Sequence, residues 1–413
     1  MSLAVQILFG ISEEVFSLKL GLVPKIIIGI ILGILIGQYM PEPICRTVVT
    51  LSSIFSNYLK FVIPLMILAY VTMGIAGLSQ GAGKLLLITG LIAYGSTLIG
   101  GTFSFTVADT LFPSFINSEV LEELAQASGK GVESYISINI PPILDTISAV
   151  VLAFIIGLCL SNLRGKTIGD TLFNWFKDFS AIIDVVLQHS IVPLLPLYIC
   201  GTFIDMTRSG ETFVILGVLW KVFLVVILMH LILLVVQFAV AGSISGKNPL
   251  TLMKNQIPAY CTAIGTQSSA ATIPVNLECS KADGVSEQIR NFVIPLCANI
   301  HMCGSMITIT ACATAVCLMY QIPIHLGTVV PFIMTLGVAM VASPGAPGGS
   351  IMTALPFLWM IFGKEAGDPN GPICALMVAL YITQDSFGTA CNVSGDNAIA
   401  VIVDKLYKTW IKK

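Results

Sequence analysis

The sequence predicts an all-α protein built into a membrane, and three observations predict it. Apolar residues fill 56% of the 413 positions while charged residues fill 10%, against roughly 25% charge in a soluble domain. Mean hydropathy is +0.93, too high for disorder, which needs low hydrophobicity. From Asn291 to Gly363 there is no Asp, Glu, Lys or Arg at all. A net charge of −2 leaves no basic footprint for nucleic acid.

A transmembrane helix needs about 20 mostly apolar residues. The first half supplies six such stretches, at 21–39, 54–77, 85–108, 142–163, 181–204 and 213–241, each flanked by Lys, Arg, Asp, Glu or Pro. The N-terminus does not read as a signal peptide, because Glu13 and Glu14 interrupt it and no small-residue cleavage site follows a basic start. The eleven cysteines are an odd set without a CxxC pair or zinc-ligand spacing. Most sit inside apolar runs, as Cys159, Cys200, Cys312, Cys317 and Cys374 do, and read as small packing residues.

The second half reads differently. Its uncharged run contains Pro295, His301, Gly304, Pro323, His325, Ser343, Pro344, Gly345, Pro347, Gly348 and Gly349. Glycine and proline at that density break helices, and a broken helix at membrane depth survives only inside protein or beside a water-filled cavity. Re-entrant hairpins and interrupted helices around a polar site are therefore expected. The cation bias sets the orientation. Arg164 and Lys166, Lys247 and Lys254, and Lys405, Lys408, Lys412 and Lys413 follow the fourth, sixth and last spans, while the loop 113–140 is acidic. Eight full spans plus two re-entrant hairpins, with both termini cytoplasmic and that loop outside, satisfy the pattern.

The last 165 or so residues read as one pattern said twice, the layout of a secondary transporter with its site at the bilayer midplane. A small-residue hairpin tip at Thr266-Gln267-Ser268-Ser269-Ala270-Ala271-Thr272 precedes a helix broken at His301-Met302-Cys303-Gly304-Ser305. A second tip, Ser343-Pro344-Gly345-Ala346-Pro347-Gly348-Gly349-Ser350, precedes a helix expected to be interrupted near Cys391 to Asp396.

The last helix carries the most chemistry. Asp385, Thr389, Asn392 and Asp396 fall within about 60° of one another at about 100° per residue, on one face. An acidic residue at mid-membrane costs about 2.5–3.5 kcal/mol on an insertion scale. Either the two aspartates are satisfied by structural partners or they meet bound cations or a ligand amine, and the second is favoured because the nearest cations in sequence are Lys364 and Lys405. Asp and Asn oxygens with backbone carbonyls are hard ligands suited to an alkali cation. Ser268 and Ser269 lie where a half-helix N-terminus offers amides to an anion, or else pack as ordinary small residues. His301 lies in a break, where it either relays protons or is a hydrogen-bonded structural histidine. His230, at the end of an apolar helix, reads as interfacial. Glu278 and Arg290 read as lying in the cytoplasmic interface. Trp175, Trp220, Trp359 and Trp410 suit interface belts.

At these residues the chain resembles the dicarboxylate/amino acid:cation symporter family, to which the glutamate transporters belong. Gln267 to Asn276 looks like its first hairpin, Gly345-Ala346-Pro347-Gly348-Gly349-Ser350 like its second, and Gln384-Asp385-Ser386 with Thr389 and Asn392 like its last helix. With Met306-Ile307-Thr308-Ile309-Thr310, these are most similar to the bacterial serine/threonine:sodium symporter branch. The resemblance runs from Pro24 to the Lys408 region.

The resemblance implies inverted repeats and an elevator-type homotrimer in the cell inner membrane. Residues 1–82 and 141–210 (spans 1, 2, 4 and 5) would form a fixed scaffold and trimerisation domain. Residues 83–112 and 211–413 (spans 3 and 6, both hairpins, spans 7 and 8) would form the sliding transport domain, and 113–140 an extracellular loop. Asp385 would bind the substrate's α-amino group. Thr389 and Asn392 would contact the substrate. Ser268, Ser269 and the tip amides around Gly345, Ala346, Pro347 and Gly348 would complete the α-carboxylate site. Asp396 and Asn392, with carbonyls near Cys297 and His301, would hold one sodium ion. Carbonyls near Asn299, Met302, Val341 and Ser343 would hold another. No other cofactor is implied; the partners are an amino acid, sodium and membrane lipid.

The departures bear on the substrate. Acidic-substrate members carry an arginine where this chain has Gly388, and some carry one where it has Gln267. A buried carboxylate left unpaired is expensive, so aspartate and glutamate are disfavoured while Asp385 still calls for an amine. Alternatively, Phe387 beside Gly388 leaves room for an apolar or larger side chain. The family's Asn-Met-Asp-Gly-Thr reads His301-Met302-Cys303-Gly304-Ser305, so a third sodium loses its aspartate, although Tyr94, Ser96 and Thr97 would be remnants of its other ligands. The expected function is sodium-coupled import of a small neutral amino acid, serine or threonine first. The alternative is a proton- or sodium-coupled symporter for an acidic amino acid, a dicarboxylate or cystine. A channel would need weak multi-site binding along a pore. An enzyme is disfavoured, since no Ser/His dyad or HExxH pattern appears in any span.

Overall fold

The computed structural model describes residues 22–76, 83–127, 131–144, 146–163, 167–343, 348–368 and 371–411. Among them the regular structure is helical throughout. In order come α1 (Leu22–Tyr39), α2 (Glu42–Ala76), α3 (Gly83–Leu111), the short α4 (Ser118–Ala127), α5 (Thr146–Leu163) and α6 (Thr167–Val186). A π-helical turn at Leu187–Ile191 joins α6 to α7 (Val192–Ser209), and α8 (Thr212–Ser245) follows. The second half holds α9 (Pro249–Thr266), α10 (Ser269–Ala282), α11 (Glu287–Ile300), α12 (Cys303–Met319), α13 (Leu326–Ala339), α14 (Gly349–Ala354), α15 (Trp359–Ala366) and α16 (Pro372–Leu406).

Six helical stretches among the described residues are long and apolar enough to cross a membrane: Glu42–Met66, Leu85–Ser114, Ile168–Ser209, Thr212–Ser245, Glu287–Met319 and Pro372–Thr409. Pro24–Tyr39, Val151–Leu163 and Leu326–Ala339 are shorter apolar helices. Within the described residues each of the six stretches expected in the first half is mainly helical, the fourth only from Thr146. The expected 54–77 begins earlier, at Glu42, and the expected 181–204 is the second half of one continuous helical run from Thr167 to Ser209. The charged and polar residues at 167–180 hid that first half from a hydropathy reading.

The most apolar windows are buried very unevenly. In Glu287–Met319 94% of the window is inside the protein and in Pro372–Thr409 78%, against 28% in Leu85–Ser114. The chain therefore wraps its other helices around α11–α12 and α16. Helix α12 packs on α16 and α3, and α16 also packs on α8, α9 and α11. Helix α1 packs on α7, and α2 on α5, α6 and α7. Helix α8 turns Leu224, Leu228, Leu231, Ile232 and Val235 outward while Val222, Val226, Met229 and Leu233 are buried. An apolar exposed face of that kind suits lipid.

Small residues set the closest approaches, as in membrane helix pairs generally. Gly29, Gly33 and Gly37 form a seam on α1 against α7, where added Cβ atoms would stand 2.6 Å from Pro196 O, 2.6 Å from Cys200 O and 2.8 Å from Thr207 Cβ. At the α12–α16 crossing a Cβ on Gly304 would stand 2.3 Å from Gly388 O.

Of the two expected breaks, one is present. Helix α11 stops at Ile300, His301 is extended (φ −107°, ψ 99°), and α12 starts at Cys303. The interruption expected near Cys391–Asp396 is absent: α16 runs unbroken through those residues. Gly395 is there for a different reason. Its missing Cβ makes room for the His301 ring, whose Cε1 would lie 2.4 Å from it, and for Gln237. The first hairpin is α9–α10, and its turn is tighter than expected, with Gln267 left-handed (φ 53°) and α10 already helical from Ser269. The second is α13 and α14–α15; its tip residues Pro344, Gly345, Ala346 and Pro347 lie outside the described residues. Gly304→Ala should force α12 and α16 apart, lowering stability by about 1–3 kcal/mol, as read from the thermal unfolding midpoint in detergent. Gly90→Ala, where a Cβ would meet nothing within 4 Å, should leave it unchanged.

Candidate substrate and ion site

The unbroken α16 delivers the expected stripe. Asp385, Thr389, Asn392 and Asp396 are all buried, with at most 5% of any of them exposed. Among the described residues neither aspartate meets a Lys or Arg. Each is satisfied by something else.

Asp396 receives His301. Imidazole Nδ1 lies 2.9 Å from Asp396 Oδ1, and Nε2 lies 3.0 Å from Ser96 Oγ on α3. Gln237 on α8 donates to the same Ser96 Oγ at 2.9 Å and to Cys303 Sγ at 3.5 Å. With Ser96 donating to Nε2 and Nδ1–H donating to the carboxylate, a neutral imidazole satisfies every contact. The second carboxylate oxygen, Oδ2, is buried without a hydrogen-bond partner.

Asn392 closes the broken helix. Its Oδ1 accepts from Gly304 N at 2.7 Å and Ser305 N at 3.3 Å, two of the free amides at the start of α12. Its Nδ2 donates to Ser305 Oγ at 3.0 Å and to Met302 Sδ at 3.6 Å. Met302 N donates to Thr97 Oγ1 at 3.2 Å. Ser96 and Thr97 thus both serve the break. Tyr94 does not: its hydroxyl donates to Met334 O.

Asp385 receives the second hairpin. Gly348 N donates to Oδ2 at 2.7 Å. Gly348 holds φ 74° at the start of α14, a left-handed conformation that glycine adopts without strain. Tyr381 OH donates to Oδ1 at 2.8 Å and Thr389 Oγ1 at 3.4 Å. Gly388 packs at the α12 crossing, where a Cβ would sit 3.4 Å from Thr308 Oγ1 and 3.5 Å from Ser305 N, ordinary contact distances.

At the first hairpin, Ser268 caps α10, its hydroxyl accepting from Ala271 N at 3.2 Å. Ser269 is buried in the first turn. Gln267 Nε2 donates to Ser386 Oγ at 3.0 Å, which ties this tip to α16 beside Asp385.

The expected ion ligands divide. Asp396 Oδ2 and Ser343 Oγ are buried oxygens without a hydrogen bond, which fits hard-oxygen binding of an alkali cation. Cys297 lies in the last turn of α11, where helix carbonyls run out of partners; its own carbonyl accepts from His301 N at 2.9 Å. The Asn299 side chain is exposed and bends back to Pro295 O, leaving only its carbonyl for an ion. Val341 lies in the 3-10 turn Met340–Ala342 that precedes Ser343. Among the described residues no three His, Cys, Asp or Glu side chains cluster as a metal centre would need.

Several residues were not singled out from the sequence. Tyr381 donates to Asp385, with Ser305 behind Tyr381 and Ser350 behind Ser305. Tyr381 was findable, being one turn before Asp385 on the same stripe. His230 is not interfacial: it is 1% exposed, with Nε2 3.0 Å from Gly304 O and 3.2 Å from Thr308 Oγ1. It and Gln237, seven residues apart, are the polar residues in the apolar stretch of α8 between Lys221 and Ser243, and that spacing was the signal.

A second polar layer anchors the first hairpin. Asn397 Nδ2 donates to Asp283 Oδ2 at 2.7 Å and Gln256 Oε1 at 2.8 Å. Asn276 Nδ2 donates to Val393 O at 2.9 Å and Gln256 Nε2 to Asn276 Oδ1 at 3.1 Å. Asn255 Nδ2 donates to Asp283 Oδ1 at 2.7 Å, and Lys247 Nζ to Asp283 O. Burial pushes the Asp283 carboxyl up; hydrogen bonds from Asn255 and Asn397 and the Lys247 charge oppose it.

The description that matches the chain by family profile is the sodium:dicarboxylate symporter family, over residues 22–406. The serine/threonine transporter SstT of Acinetobacter baylyi is 28% identical over 95% of this chain and 99% of that protein. The serine/threonine transporter SstT of Acinetobacter baumannii (strain AYE) is 29% identical over 95% of this chain and 98% of its own length.

Asn392→Ala would leave two α12 amides without an acceptor. It should lower the unfolding midpoint measured without substrate, by the equivalent of about 1–3 kcal/mol. Asn392→Asp, which keeps an acceptor at a helix N-terminus, should lose less.

Proposed function

The chain belongs to the sodium:dicarboxylate symporter family, and from that premise we propose a sodium-driven importer of serine or threonine in the cell inner membrane. It is a transport protein, not an enzyme, and its coupling to sodium and amino-acid cargo follow from the family and from relatives that are serine/threonine transporters. The observation that carries the finer reading is the buried stripe on α16, with two carboxylates that meet no Lys or Arg among the described residues.

Asp385 takes the substrate's α-ammonium. Thr389 and Asn392, the first-hairpin residues Ser268 and Ser269, and the amides of the second tip from Gly345 to Gly348 enclose the rest of the amino acid. Gly388 adds no cation to that enclosure, so a side-chain carboxylate there would be unpaired. The free Asp396 Oδ2 and the carbonyls at the α11 C-terminus, Cys297 and His301 included, take one sodium ion. Ser343, with carbonyls of Asn299, Met302 and Val341, takes another. Sodium under the second hairpin would stabilise the tip that reaches Asp385, so each ligand raises the other's affinity.

Eight spans and two re-entrant hairpins, arranged as inverted repeats with both termini cytoplasmic, complete the reading. A scaffold of residues 1–82 and 141–210 would assemble the homotrimer, while 83–112 and 211–413 slide past it as an elevator.

Counterflow uptake in proteoliposomes tests it, comparing serine, threonine, alanine, cystine and aspartate in sodium and in choline. Serine or threonine uptake that needs sodium and is not inhibited by aspartate is expected. Asp396→Ala should abolish the sodium dependence, and unchanged sodium-driven uptake would sink the ion assignment. Asp385→Asn should weaken amino-acid affinity at least about thirtyfold, the size of effect seen when one partner of a buried charge pair is removed. Retained affinity would remove its amine role. Uptake in choline driven by a pH gradient would replace sodium with the proton.

A further inference from the structure

We propose that Tyr381 is a positioning residue for substrate recognition: it fixes the Asp385 carboxylate so that one particular oxygen, Oδ2, receives the substrate amine, and it ties that carboxylate to the second hairpin. The proposal rests on the reading of Asp385 as the amine site.

Tyr381 is fully buried, one helical turn before Asp385 on α16. Its hydroxyl is 2.8 Å from Asp385 Oδ1 and 3.0 Å from Ser305 Oγ. Ser305 Oγ is in turn 3.2 Å from Ser350 Oγ on α14 and accepts from Asn392 Nδ2 at 3.0 Å. Each hydroxyl has one proton to give. Asn392 and Ser350 both donate to Ser305 Oγ, and the Tyr381 hydroxyl is placed to donate to Ser305 Oγ or to Asp385 Oδ1. The carboxylate is the stronger acceptor, so the Tyr381 proton goes to Asp385. The hydroxyls of Ser350, Ser305 and Tyr381 form one continuous chain of contacts that ends on the negative charge.

The arrangement decides where an ammonium can bind. A carboxylate oxygen accepts about two hydrogen bonds. Oδ1 already has two, from Tyr381 and Thr389. Among the described residues Oδ2 has one, from Gly348 N. The acceptor position left open by the described residues is therefore on Oδ2, beside Gly348. An amine that binds there lies next to Gly348 N, and the same carboxylate is held from behind by hydroxyl contacts that end on Ser350 of the same hairpin. Without the Tyr381 hydroxyl, Oδ1 loses its shortest donor in a fully buried place, the carboxylate is less well fixed, and its charge is less well supported.

Tyr381→Phe keeps the ring that fills the core and removes only the hydroxyl. Kinetics of sodium-driven uptake in proteoliposomes, normalised to folded protein, should show KM for the transported amino acid rising about tenfold, the size of one charge-assisted hydrogen bond. Vmax should stay within about twofold. Inhibition by the 2-hydroxy acid of the same skeleton, which lacks the amine, should be equal in wild type and variant. A residue that served only to fill space would change the yield of folded protein or Vmax and leave KM alone. Ser350→Ala, which breaks the relay two links away, should raise KM by about threefold, and it decides the matter if Tyr381→Phe does not fold. Unchanged KM in the folded variant, or an equal loss for the hydroxy acid, overturns the proposal. A wild type that carries no amino acid overturns the amine-site reading and this proposal with it, whereas a wild type that transports while Tyr381→Phe matches it overturns this proposal alone.

Discussion

Asp385 and Asp396 put two carboxylates on one face of a buried helix with no lysine or arginine among the described residues against either. A charge taken out of water is costly unless fixed partners replace the hydration it loses. Here the partners are dipoles: a backbone amide, two hydroxyls and an imidazole N–H. They come from three elements, the second hairpin, α16 itself and the α11–α12 break, and Ser96 behind His301 brings α3 to the same point. The central position of α16 in the packing follows from the same need.

The irregular backbone is a consequence of this rather than an ornament. A continuous helix has no free amides at its middle, and free amides are what a site needs when no cation side chain is present. The break at His301–Met302 creates one set, and its own exposed amides are then absorbed by Asn392 and Thr97. The second hairpin brings Gly348 N to Asp385. Asn392 thereby has two places in the structure: it stands on the stripe between Asp385 and Asp396, and it closes the broken helix.

Much of this was legible in the sequence, and the rest failed for definable reasons. The stripe was visible because helix periodicity converts spacing into a face, and α16 is regular. The break at His301 was visible because Asn, His and Gly interrupt an uncharged run. The second break was misread because a glycine has two uses, and Gly395 serves close approach to His301 and not backbone freedom. His230 was misread because sequence gives depth along a helix poorly and rotation about it only through a partner. Gln237, on the same face, was that partner. The polar layer of Gln256, Asn276, Asp283 and Asn397 had no sequence signal, since its members are dispersed over three helices and a turn and meet only in the folded chain.

That layer also makes the two hairpins physically unequal. The first is fixed to α16 through side-chain amides that pair with one another, with Asp283 and with Val393 O, all in buried surroundings. Removing it would expose several mutually satisfied groups at once, each costing about 1–3 kcal/mol if left unpaired. Among the described residues the second hairpin reaches α16 at Asp385 through one amide, and through hydroxyl contacts that end on the same carboxylate. The attachment these residues make is concentrated on that one carboxylate. A ligand that binds Asp385 therefore acts on the seating of the second hairpin directly, and on the first only through Gln267 and Ser386 at its tip. The dispersed polar residues thus give the first hairpin buried attachments to α16 that the described residues of the second do not have.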